Sequence, residues 1–187
     1  NRVIYVDPYS EVADYSLHPK ADLVLLTHHH YDHLDEDALK HIVTNKTHFI
    51  TNLGCKSVIK EAVVLSPGDK TKYEDLEVEA VYAYNIVNTK EDGLPFHPKG
   101  EGNGYVISFG SYRVYIAGDT EIIPEMESVK GVDLAFMPKN LPYTMSDDMF
   151  IEAVKVVMPK NLIVYHYFEL DIESIKSRLP KEVELHN

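Results

Sequence analysis

Apolar residues recur along this chain in two rhythms, and the change from one to the other marks its elements. The β-branched runs RVIYV (2–6) and DLVLLT (22–27) each stop where polar residues or proline begin, which predicts strands. From Asp35, DEDALKHIV has an acidic start and apolar positions at Leu39, Ile42 and Val43, the pattern of an amphipathic helix. A second short helix is predicted over 56–61. VVL, a turn at SPGDK and the alternating run LEVEAVYAY (76–84) then read as strands punctuated by proline and glycine.

Periodicity breaks from Asn85 to Gly104, the longest loop in the reading, and a loop of that length in a compact domain is usually functional. Beyond it, GYVISF and SYRVYIAG flank Gly110-Ser111, a two-residue hairpin signal. The remainder alternates: VDLAFMP as strand, DDMFIEAVKVV as helix with Phe150, Ile151, Val154 and Val157 on one face, NLIVYHY as strand, IESIKSRL as helix, VELH as strand. Two successive halves, each strands first and helices later, predict a layered α/β sandwich with helices on its outside. At 187 residues this is expected to be one domain over 1–187.

Composition changes this picture little until histidine is counted. Apolar residues at 44% and charged residues at 26% are ordinary for a globular chain, so a folded core is expected. No apolar run reaches the length of a membrane-spanning helix, and NRVIYVDP lacks a signal peptide's basic start and long apolar stretch. The chain opens on Asn1 rather than Met and directly in a strand-like pattern, so its start reads as a processed terminus or a boundary; a cytoplasmic protein is expected, with an exported one whose signal has been removed as the alternative. The single Cys55 excludes an internal disulfide and is expected to pack as a small apolar side chain. Thirty acidic against eighteen basic residues give a net charge of −12, which opposes attraction to nucleic acid or an anionic membrane and favours a small-molecule substrate. The oligomeric state is open.

Ten histidines are many, and four of them fall within 28–33. In THHHYDH, the side chains of His28, His30, Asp32 and His33 converge at the end of a strand. Imidazole nitrogen and carboxylate oxygen together suit zinc, and also manganese or iron. His29 should point away by strand alternation and serve in packing or in a hydrogen bond behind the ligands. Asp119, in AGDT after a strand, fits a metal ligand and an aspartate capping the following EIIPEMESV equally well. His166, at the end of LIVY, taken alone reads as a core histidine. His18, His41, His48 and His186 have no partners at ligand spacing and read as surface residues.

The H-x-H-x-D-H arrangement of His28, His30, Asp32 and His33 resembles the signature of the metallo-β-lactamase superfamily. The likeness runs through Asp7-Pro8, FHPKGEGNGYVI, YIAGDT, PYTM and the strand ending at His166, and looks closest to the ascorbate-6-phosphate lactonase-like branch. It implies an αββα sandwich, here without one or more strands that usually precede the first. It also implies two divalent metal ions, zinc foremost. His28, His30 and a third histidine would hold the first ion and Asp32, His33 and His166 the second, with Asp119 bridging. Members commonly place that third histidine where this chain has Asn85. The only histidine of the loop that follows is His97, so His97 is predicted to bind metal and Asn85 is not. The implied activity is hydrolysis of an ester, lactone, amide or phosphodiester bond by a hydroxide activated between two metals. Asp32 would orient the nucleophile, and Tyr143, beside Thr144, would orient substrate or steady an oxyanion. A di-iron oxidoreductase of the same fold and a metal-stabilised binding module without turnover are the alternatives; the histidine at position 30, where such oxidoreductases typically carry a carboxylate, weighs against the former.

Overall fold

The computed structural model describes residues 2–186. The chain divides into two compact units, Asn1–Ser66 and Pro67–Asn187, each with its own sheet. Among the described residues no helix is long and apolar enough to cross a membrane.

In the first unit, β1 (Ile4–Val6), β2 (Leu23–Leu25), β3 (His48–Thr51) and β4 (Val63–Val64) lie side by side in that order, all parallel. Every residue of β2 is buried, which is why DLVLLT is continuously apolar rather than alternating. Parallel neighbours cannot be joined by a tight turn, and α1 (Glu36–Ile42) lies in the connection from β2 to β3. The Asp35 carboxylate starts this helix by accepting the Asp37 and Ala38 amides at 2.8 and 3.2 Å. Its Leu39 and Ile42 pack with Ala21, Val24, Leu26 and Cys55. Burial pushes the Cys55 thiol above its ordinary pKa, as suits an inert packing residue.

The helix expected over 56–61 does not form. A 3-10 turn at Leu53–Cys55 precedes it, held by the Cys55 amide donating to Asn52 Oδ1 at 3.1 Å, and the chain goes on in turns. The segment KSVIKE offers only the adjacent β-branched pair Val58 and Ile59, not an apolar face at helical spacing. Lys56 Nζ instead donates to the Ala62 carbonyl at 3.1 Å and closes the segment.

The second unit holds a seven-stranded sheet in the order β11-β10-β9-β8-β7-β6-β5. β5 (Lys70–Tyr73), β6 (Leu76–Ala83), β7 (Gly102–Phe109) and β8 (Tyr112–Ile116) form an antiparallel meander. β9 (Leu134–Pro138), β10 (Asn161–Tyr165) and β11 (Glu184–His186) run parallel to β8. The helices α2 (Asp147–Val157) and α3 (Ile172–Arg178) lie in the connections between those parallel strands. The Ser146 hydroxyl caps α2, and its buried face of Phe150, Ile151, Ala153, Val154 and Val157 joins Tyr115, Met137, Leu162 and Ile175 in one core. The strand β5 was not foreseen: KTKY sits at the sheet edge, half exposed, with no apolar alternation to reveal it.

β7 starts at Gly102, two residues inside the expected loop. A Cβ on Gly104 would come within 2.7 Å of the Ala117 carbonyl and 2.9 Å of that of Ile116, so glycine there marks a close approach of neighbouring backbone rather than a turn. The loop between β6 and β7 folds back on itself. At its base the Asn85 amide donates to the His97 carbonyl at 2.9 Å, and nearer its tip the Lys90 amide donates to Leu94 at 2.7 Å. A single buried carboxylate, Glu121, orders the outgoing arm: it accepts the amides of Ile86, Val87 and Asn88, each at 2.7 Å, and Asn85 Nδ2 at 3.3 Å.

Replacing Glu121 by glutamine removes one acceptor from a buried site filled with donors. It is expected to lower the free energy of unfolding by about 1–3 kcal/mol for each backbone donor it orphans, read from urea unfolding; an unchanged midpoint would show that the clamp contributes little. Gly104→Ala is expected to cost about 1–3 kcal/mol in the same assay, because only backbone stands in the way of the added methyl. Wild-type stability in that variant would mean the strands part there without cost.

Candidate metal centre

Parallel strands present side chains beyond their carboxyl ends, and the histidine cluster lies there. β2 ends at Leu25, three residues before His28, which is itself buried. His28 Nε2 lies 3.0 Å from His30 Nδ1, and the His28 and His33 rings are 4.0 Å apart between centroids. Asp32 Oδ2 is 3.6 Å from His33 Nε2. His29 is exposed, against Gly54, with its ring centroid 5.2 Å from that of His30. Strand alternation is not what turns it outward, since the strand has already ended; His29 and His30 lie in a bend.

The ring orientations have a cause one layer further out. The Asp7 carboxylate accepts the Thr27 amide at 2.8 Å and the Thr27 hydroxyl at 2.5 Å, and faces His33 Nδ1 at 2.7 Å. Having donated its proton to Asp7, Thr27 Oγ1 offers a lone pair to His28 Nδ1, 3.0 Å away. Protons on the Nδ1 atoms of His28 and His33 satisfy this network, leaving Nε2 of each ring as the lone-pair nitrogen. Asp7 reaches this position in the left-handed region, at φ 44°, directly after β1.

A second cluster belongs to the second unit. Asn85, Asp119, Asn140 and His166 lie beyond the carboxyl ends of β6, β8, β9 and β10, four strands that point the same way. Asp119 Oδ2 is 3.4 Å from His97 Nε2 and 3.4 Å from His166 Nε2. The 3-10 helix that follows spans Pro124–Val129, with Ile123 at its cap and no side-chain cap bond, so Asp119 is not a capping residue. His166, at φ 52°, is half-buried rather than a core residue, and its Nδ1 lies 3.5 Å from Asn140 Nδ2. His97 is buried, and Asn85 Oδ1 receives its amide at 2.8 Å and faces its Nδ1 at 2.8 Å.

These donor sets suit a divalent cation. They offer nitrogen and oxygen without sulfur, and bonds of about 2.0–2.1 Å to one tetrahedral ion would set neighbouring ligand atoms roughly 3.3 Å apart. The separations, 3.0 and 3.6 Å in the first cluster and 3.4 Å for both pairs in the second, lie close to that value. His28, His30, Asp32 and His33 are thus brought together in one unit, and His97, Asp119 and His166 in the other. Tyr143 is partly exposed, its ring edge-on to Phe96 at 5.1 Å and its carbonyl accepting Asn85 Nδ2 at 2.9 Å. Thr144 is buried and spent on the backbone of Asn140. His18, His41, His48 and His186 are exposed, as expected. Thr27, Asn140 and Glu121 went unnoticed in the sequence, and Asp7 was noticed only as part of a resemblance; no spacing rule links Asp7 to His33 or Asn140 to His166 across 26 positions, and Thr27 and Glu121 are common residue types set apart only by their partners.

Residues 1–166 match the family model described as the β-lactamase superfamily domain. A UPF0173 metal-dependent hydrolase of Thermoplasma acidophilum is 32% identical over 160 residues, 81% of this chain; the chain spans 66% of that relative's length. The crystal structure of a protein of Parabacteroides distasonis assigned as a metal-dependent hydrolase superposes with a TM-score of 0.91 at 40% identity, over 98% of this chain and 83% of that one. CmlA, a diiron β-hydroxylase of Streptomyces venezuelae, shares the fold at a TM-score of 0.61 and 17% identity, over 78% of this chain and 35% of that one. With the family model covering most of its length and its two sheets superposing on these structures, the chain belongs to the β-lactamase superfamily and has the metallo-β-lactamase fold.

Proposed function

We propose that this protein is a metal-dependent hydrolase of small molecules, with a binuclear centre to which both clusters contribute. As the family resemblance implies, His28, His30 and His97 would hold one ion and Asp32, His33 and His166 the other, with the Asp119 carboxylate as a further ligand. Zinc fits the donor set best, with manganese or iron as substitutes. The observation that carries the reading is that His28, His33 and His97 each have Nδ1 against an oxygen at 2.7–3.0 Å, which leaves Nε2 of each as the ligand atom. Bound divalent ions would supply an acidified water and polarise the bond under attack.

The chain's own groups would supply the rest. Asp32, with a quarter of its side chain exposed, would orient the nucleophile through its carboxylate as well as bind metal. Tyr143 would donate its phenol proton toward an oxyanion formed on the substrate. The scissile bond is of the ester, lactone, amide or phosphodiester class. The net charge of −12 supports a small substrate rather than a nucleic acid or a membrane surface.

Protein loaded with zinc or manganese is expected to turn over at least one member of a panel of esters, lactones, amides and phosphodiesters. His28→Ala or Asp32→Ala should lower bound metal and abolish that turnover, whereas His29→Ala keeps most of the metal. Inactivity of fully loaded protein on the whole panel, or equal metal loss in all three variants, would contradict the reading. A coloured, iron-loaded protein would favour oxidoreduction instead. Chelation tests the linkage to folding: metal bound only to the native state adds to stability, so EDTA should lower the melting temperature, and an unchanged value after verified metal removal would speak against it.

A further inference from the structure

We infer that Asn85 is the positioning residue for His97: its side-chain oxygen fixes which imidazole nitrogen faces the metal, and Glu121 fixes Asn85. This rests on the proposed role of His97 as a ligand, and adds the group through which that ligand is aimed.

Asn85 is buried and every polar atom of its side chain is engaged. Oδ1 receives the His97 amide at 2.8 Å and lies 2.8 Å from His97 Nδ1. Nδ2 donates to the Tyr143 carbonyl at 2.9 Å and to Glu121 Oε1 at 3.3 Å. Those two acceptors settle the amide's orientation, because rotating it by a half-turn would set its NH2 against the His97 amide and the oxygen against two acceptors. An Asn85 oxygen can only accept, so the proton between it and His97 sits on Nδ1. Nε2 is then the lone-pair nitrogen, and it points to Asp119 Oδ2 at 3.4 Å.

Glu121 makes this arrangement stiff. The carboxylate that binds Asn85 Nδ2 also gathers the amides of Ile86, Val87 and Asn88. Asn88 Nδ2 donates onward to the Thr144 carbonyl at 3.1 Å. The ring of His97 is therefore held by a chain of bonds ending in backbone, not by the exposed residues at the tip of the loop. Asn85 touches neither substrate nor ion in this scheme; it acts through His97. Partners that orient a ligand in this way typically change metal affinity by about 10–100-fold when removed.

The test uses the full chain and Zn²⁺ as the probe. Affinity is measured by chelator competition for the wild type, His97→Ala and Asn85→Leu, with circular dichroism to check folding. In parallel, long-range ¹H–¹⁵N correlations on ¹⁵N-histidine protein, metal-free at about pH 8, above the ordinary imidazole range, report the His97 tautomer, assigned by comparison with His97→Ala. The expected result is weaker binding in His97→Ala, binding weaker by about 10–100-fold in folded Asn85→Leu, and an Nδ1-protonated His97 in the wild type. Unchanged affinity in His97→Ala would remove His97 from the metal site, and this inference with it. Weaker binding in His97→Ala together with wild-type affinity in Asn85→Leu would overturn the positioning role alone. If Asn85→Leu does not fold, the wild-type tautomer decides, and a His97 with a proton on Nε2 and none on Nδ1 overturns the inference.

Discussion

An imidazole has two nitrogens and can turn only one lone pair toward a cation, so the other nitrogen must be tied to an acceptor before the ring is of use as a ligand. Under the proposed function, that constraint gives a task to residues that otherwise have no evident one. Asp7 leaves β1 in a left-handed conformation and meets His33 and Thr27. Thr27, buried beyond the end of β2, relays to His28. Asn85 does for His97 with an amide what Asp7 does for His33 with a carboxylate. Thr27 stands next to the ring it serves, but it is held in turn by Asp7 from twenty positions away, and Asp7 and Asn85 reach their rings from 26 and 12 positions away, so this network exists only in the folded protein.

Strand direction supplies the second condition. In the first unit all strands are parallel, and in the second β6, β8, β9 and β10 point the same way, so polar groups placed just past their ends collect at one edge of each sheet. Buried strands need apolar residues on both faces, which pushes functional side chains to the first positions beyond them. The apolar run DLVLLT followed by histidines, VYIAG followed by Asp119, and LIVY followed by His166 are three instances of one rule. This is why the cluster at 28–33 stood out in the sequence: it combines a rare residue type with a strand end, whereas Asp119, His166 and His97 were named as candidates only through the family resemblance.

What was not legible has physical reasons too. β5 is a polar edge strand whose pairing with β6 depends on backbone hydrogen bonds and on Lys70 beside Glu77 and Glu79, none of which leaves a hydrophobic period. The segment 56–61 carries only the adjacent pair Val58 and Ile59, too little to make an apolar helix face. The Pro124–Val129 turn reads in sequence as a helix that Asp119 might start, yet its 3-10 geometry begins five residues later and needs no such cap. The oxygen atoms that hold the imidazoles belong to common residue types, and only their three-dimensional partners set them apart from surface polar groups.

The loop between β6 and β7 shows how far such partners reach. From composition it is a breaker-rich stretch, and its own contacts are few: a bridge between Thr89 and Pro95 and two backbone bonds near the tip. Most of residues 86–94 are exposed, with Ile86, Val87 and Leu94 each more than half accessible. Local structure of this kind cannot offset the entropy of fixing its backbone. The order comes from Glu121, more than thirty positions away, which accepts three consecutive amides, and from Asn85 and His97 closing the base. Because Asn85 both closes that base and accepts from His97, the bonds that fix the loop also fix the ring. A loop anchored at its base leaves its tip free to vary in composition without disturbing His97, which is how a buried histidine can sit in a segment whose sequence looks like surface.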